Sequence, residues 1–127
     1  MLTEQLDRND YPWLEAGCSL HRIIDGVHKD KLVEVLALKK SVDTNNDGSV
    51  DMHYLEIQSR RVDASGTTIL VNDTPLVTPK KNPGISHDAI ANGVDPMVWT
   101  AERMEDAITR VLNLETNINA FAFMVNA

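Results

Sequence analysis

The run Leu32-Val33-Glu34-Val35-Leu36-Ala37-Leu38 decides the fold. It is short, apolar and partly β-branched, so periodicity alone does not separate a buried strand from a helix. The residues after it tip the reading to a strand. Asn45-Asn46-Asp47-Gly48 is a turn signal, because Asn and Gly tolerate positive φ at little steric cost. Past the turn, Val50, Met52 and Tyr54 share one side of an extended chain. These features predict a hairpin that pairs about 32–43 with 49–58.

Working outward from the hairpin, the preceding segment reads as helical. Leu20, Ile23, Ile24 and Val27 recur at helical spacing and predict an amphipathic helix over about 19–29, with Ser19 as its N-cap. Gly26 weakens that helix by ~1 kcal/mol relative to Ala. Tyr11-Pro12 is a break, and Pro12 suits the first position of a helix. On the other side, Thr67-Thr68-Ile69-Leu70-Val71 favours a strand after the turn Ala64-Ser65-Gly66. Residues 73–96 hold Pro75, Pro79, Pro83 and Pro96 and predict an irregular loop, with one short helical turn over Ser86 to Ala91.

The last segment has the clearest pattern. Asp95-Pro96 supplies an N-cap and a first-turn proline. Met97, Met104, Val111, Ile118 and Val125 then recur every seven residues, and Ala101, Ile108 and Ala122 fill the positions four further on. Glu115 is the exception in that second series, while Leu114 and Phe121 thicken the stripe. A helix over about 96–125 would be roughly 45 Å long. A domain of this size has an expected radius of gyration of ~14 Å, so part of the helix is expected to project or to pack on another chain. No charged residue follows Glu115. Phe121 and Phe123 fall about 200° apart on a helix, more than one core face covers. The expected interface is Met104, Ile108, Val111, Leu114, Ile118, Phe121, Phe123 and Val125.

The fold class expected is α+β: N-terminal helices, a small central antiparallel sheet with a hairpin, and a long C-terminal amphipathic helix in a single domain over 1–127. The chain is 43% hydrophobic and 24% charged, the balance of a globular protein. A net charge of -7 argues against nucleic acid as a partner. The pairs Lys39-Lys40, Arg60-Arg61 and Lys80-Lys81 read as solvated surface charge. No apolar run approaches the ~20 residues of a membrane span. The first residues lack the basic and apolar regions of a classical signal peptide. With one cysteine, Cys18, no disulfide closes within the chain. A cytoplasmic or virion location follows as the expectation.

Asp43-Thr44-Asn45-Asn46-Asp47-Gly48-Ser49-Val50-Asp51 resembles the start of an EF-hand or dockerin-type calcium loop. The resemblance implies calcium ligands at Asp43, Asn45, Asp47, Ser49 and Asp51, with Gly48 at the sharp turn and Val50 as the apolar eighth position. It then departs from the family. Position twelve is Tyr54, where the family places a bidentate acid, and Glu56 lies two residues late. An Asn- and Gly-rich hairpin turn accounts for the same residues through backbone geometry alone.

Other chemistry is thinner. On a helix, Cys18, His21, Asp25 and His28 would share a face, but they would spread over ~15 Å, too far for one metal ion. His21 with Cys18 or Asp25, helped by His53 or His87, is the most a chelate would muster. No CxxC, HExxH, GxSxG, P-loop or GxGxxG pattern occurs. Gln58, Arg61, Val62, Ile69, Asp73, Thr74 and Pro75 are similar in order to the N-terminal signature of flagellar rod proteins. Thr67-Thr68-Ile69-Leu70 stands where that signature has its Asn-rich core, so no role is carried over.

The sequence therefore points to a non-enzymatic structural subunit, without a cofactor, that associates with copies of itself or with neighbouring subunits. Its small size, acidity and contact-prone end suit a bacteriophage virion or neck component. The alternative is a calcium-dependent binding module that uses the Asp43–Asp51 loop.

Overall fold

The computed structural model describes residues 3–78 and 84–126, and of 119–126 it describes the backbone. The elements, in chain order, are β1 (Thr3–Gln5), a 3-10 turn (Arg8–Asp10), β2 (Cys18–Ile23), β3 (Leu32–Val42), β4 (Met52–Val62), β5 (Leu70–Val71), β6 (Thr74–Pro75), β7 (Gly84–Ser86), α1 (His87–Ala91) and α2 (Pro96–Asn126). The architecture is α+β, with an antiparallel sheet in the order β1-β2-β3-β4-β7 and one long helix against it. No helix among the described residues is long and apolar enough to cross a membrane.

The β3–β4 hairpin is the backbone of the fold. It pairs in register from Leu32↔Val62 to Val42↔Met52. The second strand starts three residues later than the turn signal suggests and runs four further, to Val62. Asn46 and Gly48 take the positive φ values, 63° and 89°, that reverse the chain. Alternation along the strands sends Val33, Val35, Leu55 and Ile57 to one face, where they are buried with Trp99, Ala107, Ile108, Val111 and Leu112. Helix α2 starts as its sequence suggests, with Asp95 accepting a hydrogen bond from the Met97 N–H at 2.9 Å.

The helix expected over 19–29 is not formed, and among the described residues the N-terminal third holds no helical element beyond the 3-10 turn. Cys18–Ile23 is instead a strand paired with β1 and β3. The apolar spacing misled for a physical reason. Leu20 and Ile23 are three apart, so on a strand they point to opposite faces. Here both faces are covered: Ile23 joins the α2 layer, while Leu20 packs with Leu14 and Val62 in a second cluster closed by Leu6, Tyr11, Trp13 and Leu32. The rest of the expected helix is a turn. Gly26 and Asp30 have positive φ there, and Val27 is 91% exposed.

The irregular segment after β4 closes the same edge of the sheet. Asn72 and Asp73, both at positive φ, turn β5 into β6. Leu76 and Thr78 then exchange backbone hydrogen bonds with Arg61 and Ser59. The helical turn expected at Ser86 is α1, capped by the Ser86 hydroxyl, which accepts from the Ala89 N–H at 3.1 Å. Pro79, Lys80, Lys81 and Pro83 lie outside the described residues.

Candidate functional site

Two places gather chemistry, one in the interior and one in a cleft. The interior one joins the helix to the sheet. Glu115, the misfit in the apolar stripe, is buried at 4% exposure. Its carboxylate accepts from Arg61 Nε at 2.6 Å and from Lys31 Nζ. Arg61 Nη1 also donates to the Leu32 carbonyl at 2.7 Å. Burial works to raise the Glu115 pKa, but hydrogen bonds from Lys31 and Arg61, and their charges, outweigh it and hold the carboxyl below its usual range. The group therefore stays ionised and paired, which suits a structural lock better than a general acid.

Arg60 and Arg61, expected as solvated charge, are both in ion pairs. Neighbours on a strand face opposite ways, so Arg61 enters the α2 layer while Arg60 lies on the outer face. There Arg60 grips Glu34 through Nε at 3.2 Å and Nη2 at 2.8 Å, and Nη1 donates to the Gly66 carbonyl at 2.8 Å. The bidentate contact joins β3 to β4, and the Nη1 bond ties the 63–68 turn to the sheet.

The second place is a cleft of about 290 Å³ at the hairpin end of the helix layer, lined by Lys39, Ser41, His53, His87, Ile90 and Trp99 among others. Ser41 and His53 face each other across the β3–β4 ladder, and the Ser41 hydroxyl lies 2.9 Å from His53 Nδ1. His53 Nε2 in turn lies 3.2 Å from His87 Nδ1, with the ring centroids 5.5 Å apart. The backbone holds this geometry: β7 pairs with Met52–Tyr54, and the His87 N–H donates to the Asp51 carbonyl at 2.8 Å. In the sequence His53 and His87 were only possible helpers. Their 34-residue separation hides a meeting that depends on the β7 edge strand.

The helical stripe of metal-capable residues is dispersed. Cys18 and His21 are on opposite faces of β2, and Asp25 and His28 lie in the turn after it. Burial pushes the His21 pKa down, and its Nε2 lies 2.7 Å from the Ser19 hydroxyl. His28 instead contacts Lys31 and Thr116, at 3.0 Å each.

The loop from Asp43 to Asp51 closes the hairpin with its carboxylates turned onto its own backbone. Asp43 accepts from the Gly48 N–H at 2.7 Å, Asp47 from the Ser49 N–H at 2.8 Å, and Asp51 from the Thr44 N–H at 2.7 Å and the Thr44 hydroxyl. The side chains of Asn45 and Ser49 are exposed beside them. Among the described residues, no group of three or more His, Cys, Asp and Glu side chains is placed to hold a metal ion.

Of the expected interface residues, five are spent on the chain's own sheet. Ile108 and Val111 are buried in the core, and Met104, Leu114 and Ile118 pack against it. For these five residues the chain's own sheet face supplies apolar surface. The side chains of Phe121, Phe123 and Val125 lie outside the described residues. Exposed apolar surface appears elsewhere, at Met97 (78% exposed) and Val98 (53%) near the helix start, and at Leu38 and Val42 on the outer face of β3.

Comparison with protein-family models, with curated proteins and with solved structures gives no significant match to this chain.

Proposed function

We propose that the protein is a non-enzymatic assembly subunit that works by association, with copies of itself or with neighbouring subunits. The observation that carries this reading is the continuation of α2 past its buried ion pair with the sheet. Glu115 sits opposite Arg61, one residue from the end of β4, yet the helix continues from Thr116 to Asn126. That is roughly 16 Å of helix at 1.5 Å per residue. The sequence of that stretch is uncharged and rich in Phe, Met, Ile and Val, and each such side chain forgoes about 1.5–3 kcal/mol when it stays in water. The exposed Met97 and Val98 at the other end of the helix add apolar surface of the same kind. A bacteriophage virion or neck is the class of assembly that the chain's small size and acidity suit; that part rests on overall character.

The test is the mass in solution of the full chain and of a chain ending at Ile118. Ile118 is kept because it packs against the core. Light scattering is expected to give an oligomer for the full chain and a monomer for the shortened one, with a cooperative thermal transition retained. A full chain that stays monomeric at high concentration removes the proposal. So does a shortened chain that no longer folds, because the tail is then ordinary core.

A further inference from the structure

The geometry points to a binding site for a divalent transition-metal ion, of the zinc or copper class, between His53 Nε2 and His87 Nδ1. The inference is independent of the assembly proposal. Two ring nitrogens that face each other at 3.2 Å need something positive between them, either a shared proton or a cation. With no metal, one imidazole donates its N–H to the other. The same separation suits a metal. Two Zn–N bonds of about 2.0–2.1 Å at a tetrahedral angle put their nitrogens ~3.3 Å apart.

The surroundings settle which nitrogens would bind. Ser41 Oγ lies 2.9 Å from His53 Nδ1, so an N–H there donates to the hydroxyl and leaves the Nε2 lone pair for the ion. A partner on the far ring nitrogen is the usual device for fixing tautomer and ring orientation at a metal-bound histidine. His87 meets the ion through Nδ1 once its proton moves to Nε2, so a neutral pair takes the metal up without net proton release. The rings sit on paired strand and helix-turn backbone, through the Met52↔Ser86 and His53↔Ile85 register and the His87 N–H to Asp51 carbonyl bond. Little rearrangement is required to bring them together.

The donor set also defines the class of ion. Imidazole nitrogens suit copper, zinc and nickel, whereas calcium and magnesium call for oxygen. Among the described residues no carboxylate or thiol completes a three-residue set with these rings, and the cationic Lys39 lines the same cleft. The site therefore binds weakly compared with a structural zinc site. Its remaining coordination positions open into the cleft, where water or a ligand's donor atom can occupy them.

Calorimetric titration of the full chain with zinc chloride and with copper chloride at pH 7.5 tests this. One ion per chain is expected, with copper tighter than zinc by the usual order of divalent affinities. His53→Gln and His87→Gln should each weaken binding at least tenfold. Ser41→Ala should weaken it by about tenfold, the usual scale for loss of an outer-shell partner. His28→Gln, outside the site, should leave affinity unchanged. Circular dichroism melts of each variant verify folding, and the copper complex should carry the spin-resonance signature of two coordinated imidazoles. The proposal fails if the wild-type chain shows no saturable binding at millimolar metal. It also fails if both cleft variants bind as the wild type does, or if His28→Gln alone abolishes binding.

Discussion

Glu115 of the long helix and Arg61 of the central strand meet at 2.6 Å in the interior, 54 residues apart in the chain. The contact fixes the helix lengthwise on the sheet. Apolar side chains alone would let α2 slide by a turn at modest cost, because one aliphatic contact replaces another. A buried carboxylate cannot move away from the guanidinium and ammonium that pair with it without losing its replacement for water.

Removing the acid should therefore cost more than removing an apolar neighbour of similar size. Glu115→Ala leaves Arg61 buried and without its acid, and is expected to destabilise the fold by about 3–5 kcal/mol. Replacing both groups, as Glu115→Leu with Arg61→Leu, should restore a large part of that loss, because no fully buried charge is left unpaired and the part-exposed Lys31 ammonium can turn to water. Urea denaturation of the two variants measures the difference. A single variant within 0.5 kcal/mol of wild type would mean that the pair is solvated.

Acid should unfold the protein in two stages. Burial depresses the His21 pKa, so below about pH 6.5 the unfolded chain takes up a proton that the folded chain resists, and stability falls. His28, whose pKa is lowered by burial and then by Lys31, acts in the same direction. Glu115 has a depressed folded pKa, so its contribution is present above about pH 4.3 and is lost as the pH drops through the folded value. A melting temperature that is level above pH 7, declines below 6.5 and falls again below 4.3 is expected. His21→Gln should shallow the first decline and leave the second. A wild-type melting temperature constant from pH 7 to 5 contradicts the assignment.

Gly66 is a position where only glycine fits. Its φ is +87°, and a Cβ there would lie 2.6 Å from carbons of the Trp13 ring. Trp13 in turn donates its indole N–H to the Ala64 carbonyl at 3.0 Å and packs edge-on to Tyr11. Gly66→Ala should cost about 1–3 kcal/mol, through backbone strain and displacement of the indole. A shift in tryptophan emission together with a lower urea midpoint is the expected result. An unchanged midpoint would place Trp13 elsewhere.

The Asp43–Asp51 loop offers a direct test of the calcium alternative. Its three carboxylates already accept loop N–H groups, so the turn is held without an ion. Millimolar calcium is expected to leave the melting temperature unchanged. A rise of several degrees would favour the calcium-dependent module, since any ligand of the native state stabilises it.

How far the sequence could be read varied with the range of the forces involved. Turn chemistry and capping are local, so Asn46, Gly48, Asp95 and the Ser86 turn were legible, and with them the hairpin and both ends of the segment that leads into α2. Glu115, the exception in the helix stripe, has its partner in Arg61, which its sequence places only in a charged pair with Arg60; nothing local joins the two. The His53–His87 contact carried none, because it depends on how β7 returns to β4 after a proline-rich loop.

By itself the sequence determined the elements whose signals lie within a few residues: the turn, the caps and the long helix with its seven-residue stripe. Only the tertiary structure decided that Cys18–Ile23 is a strand, because Leu20 and Ile23 satisfy a helical spacing equally well when two separate layers cover the two faces of a sheet. The same holds for the stripe of α2: periodicity shows that a face must be buried, but not whose surface buries it. From Met104 to Ile118 it is the chain's own sheet, since hydrophobic burial is non-directional and takes the nearest complementary surface.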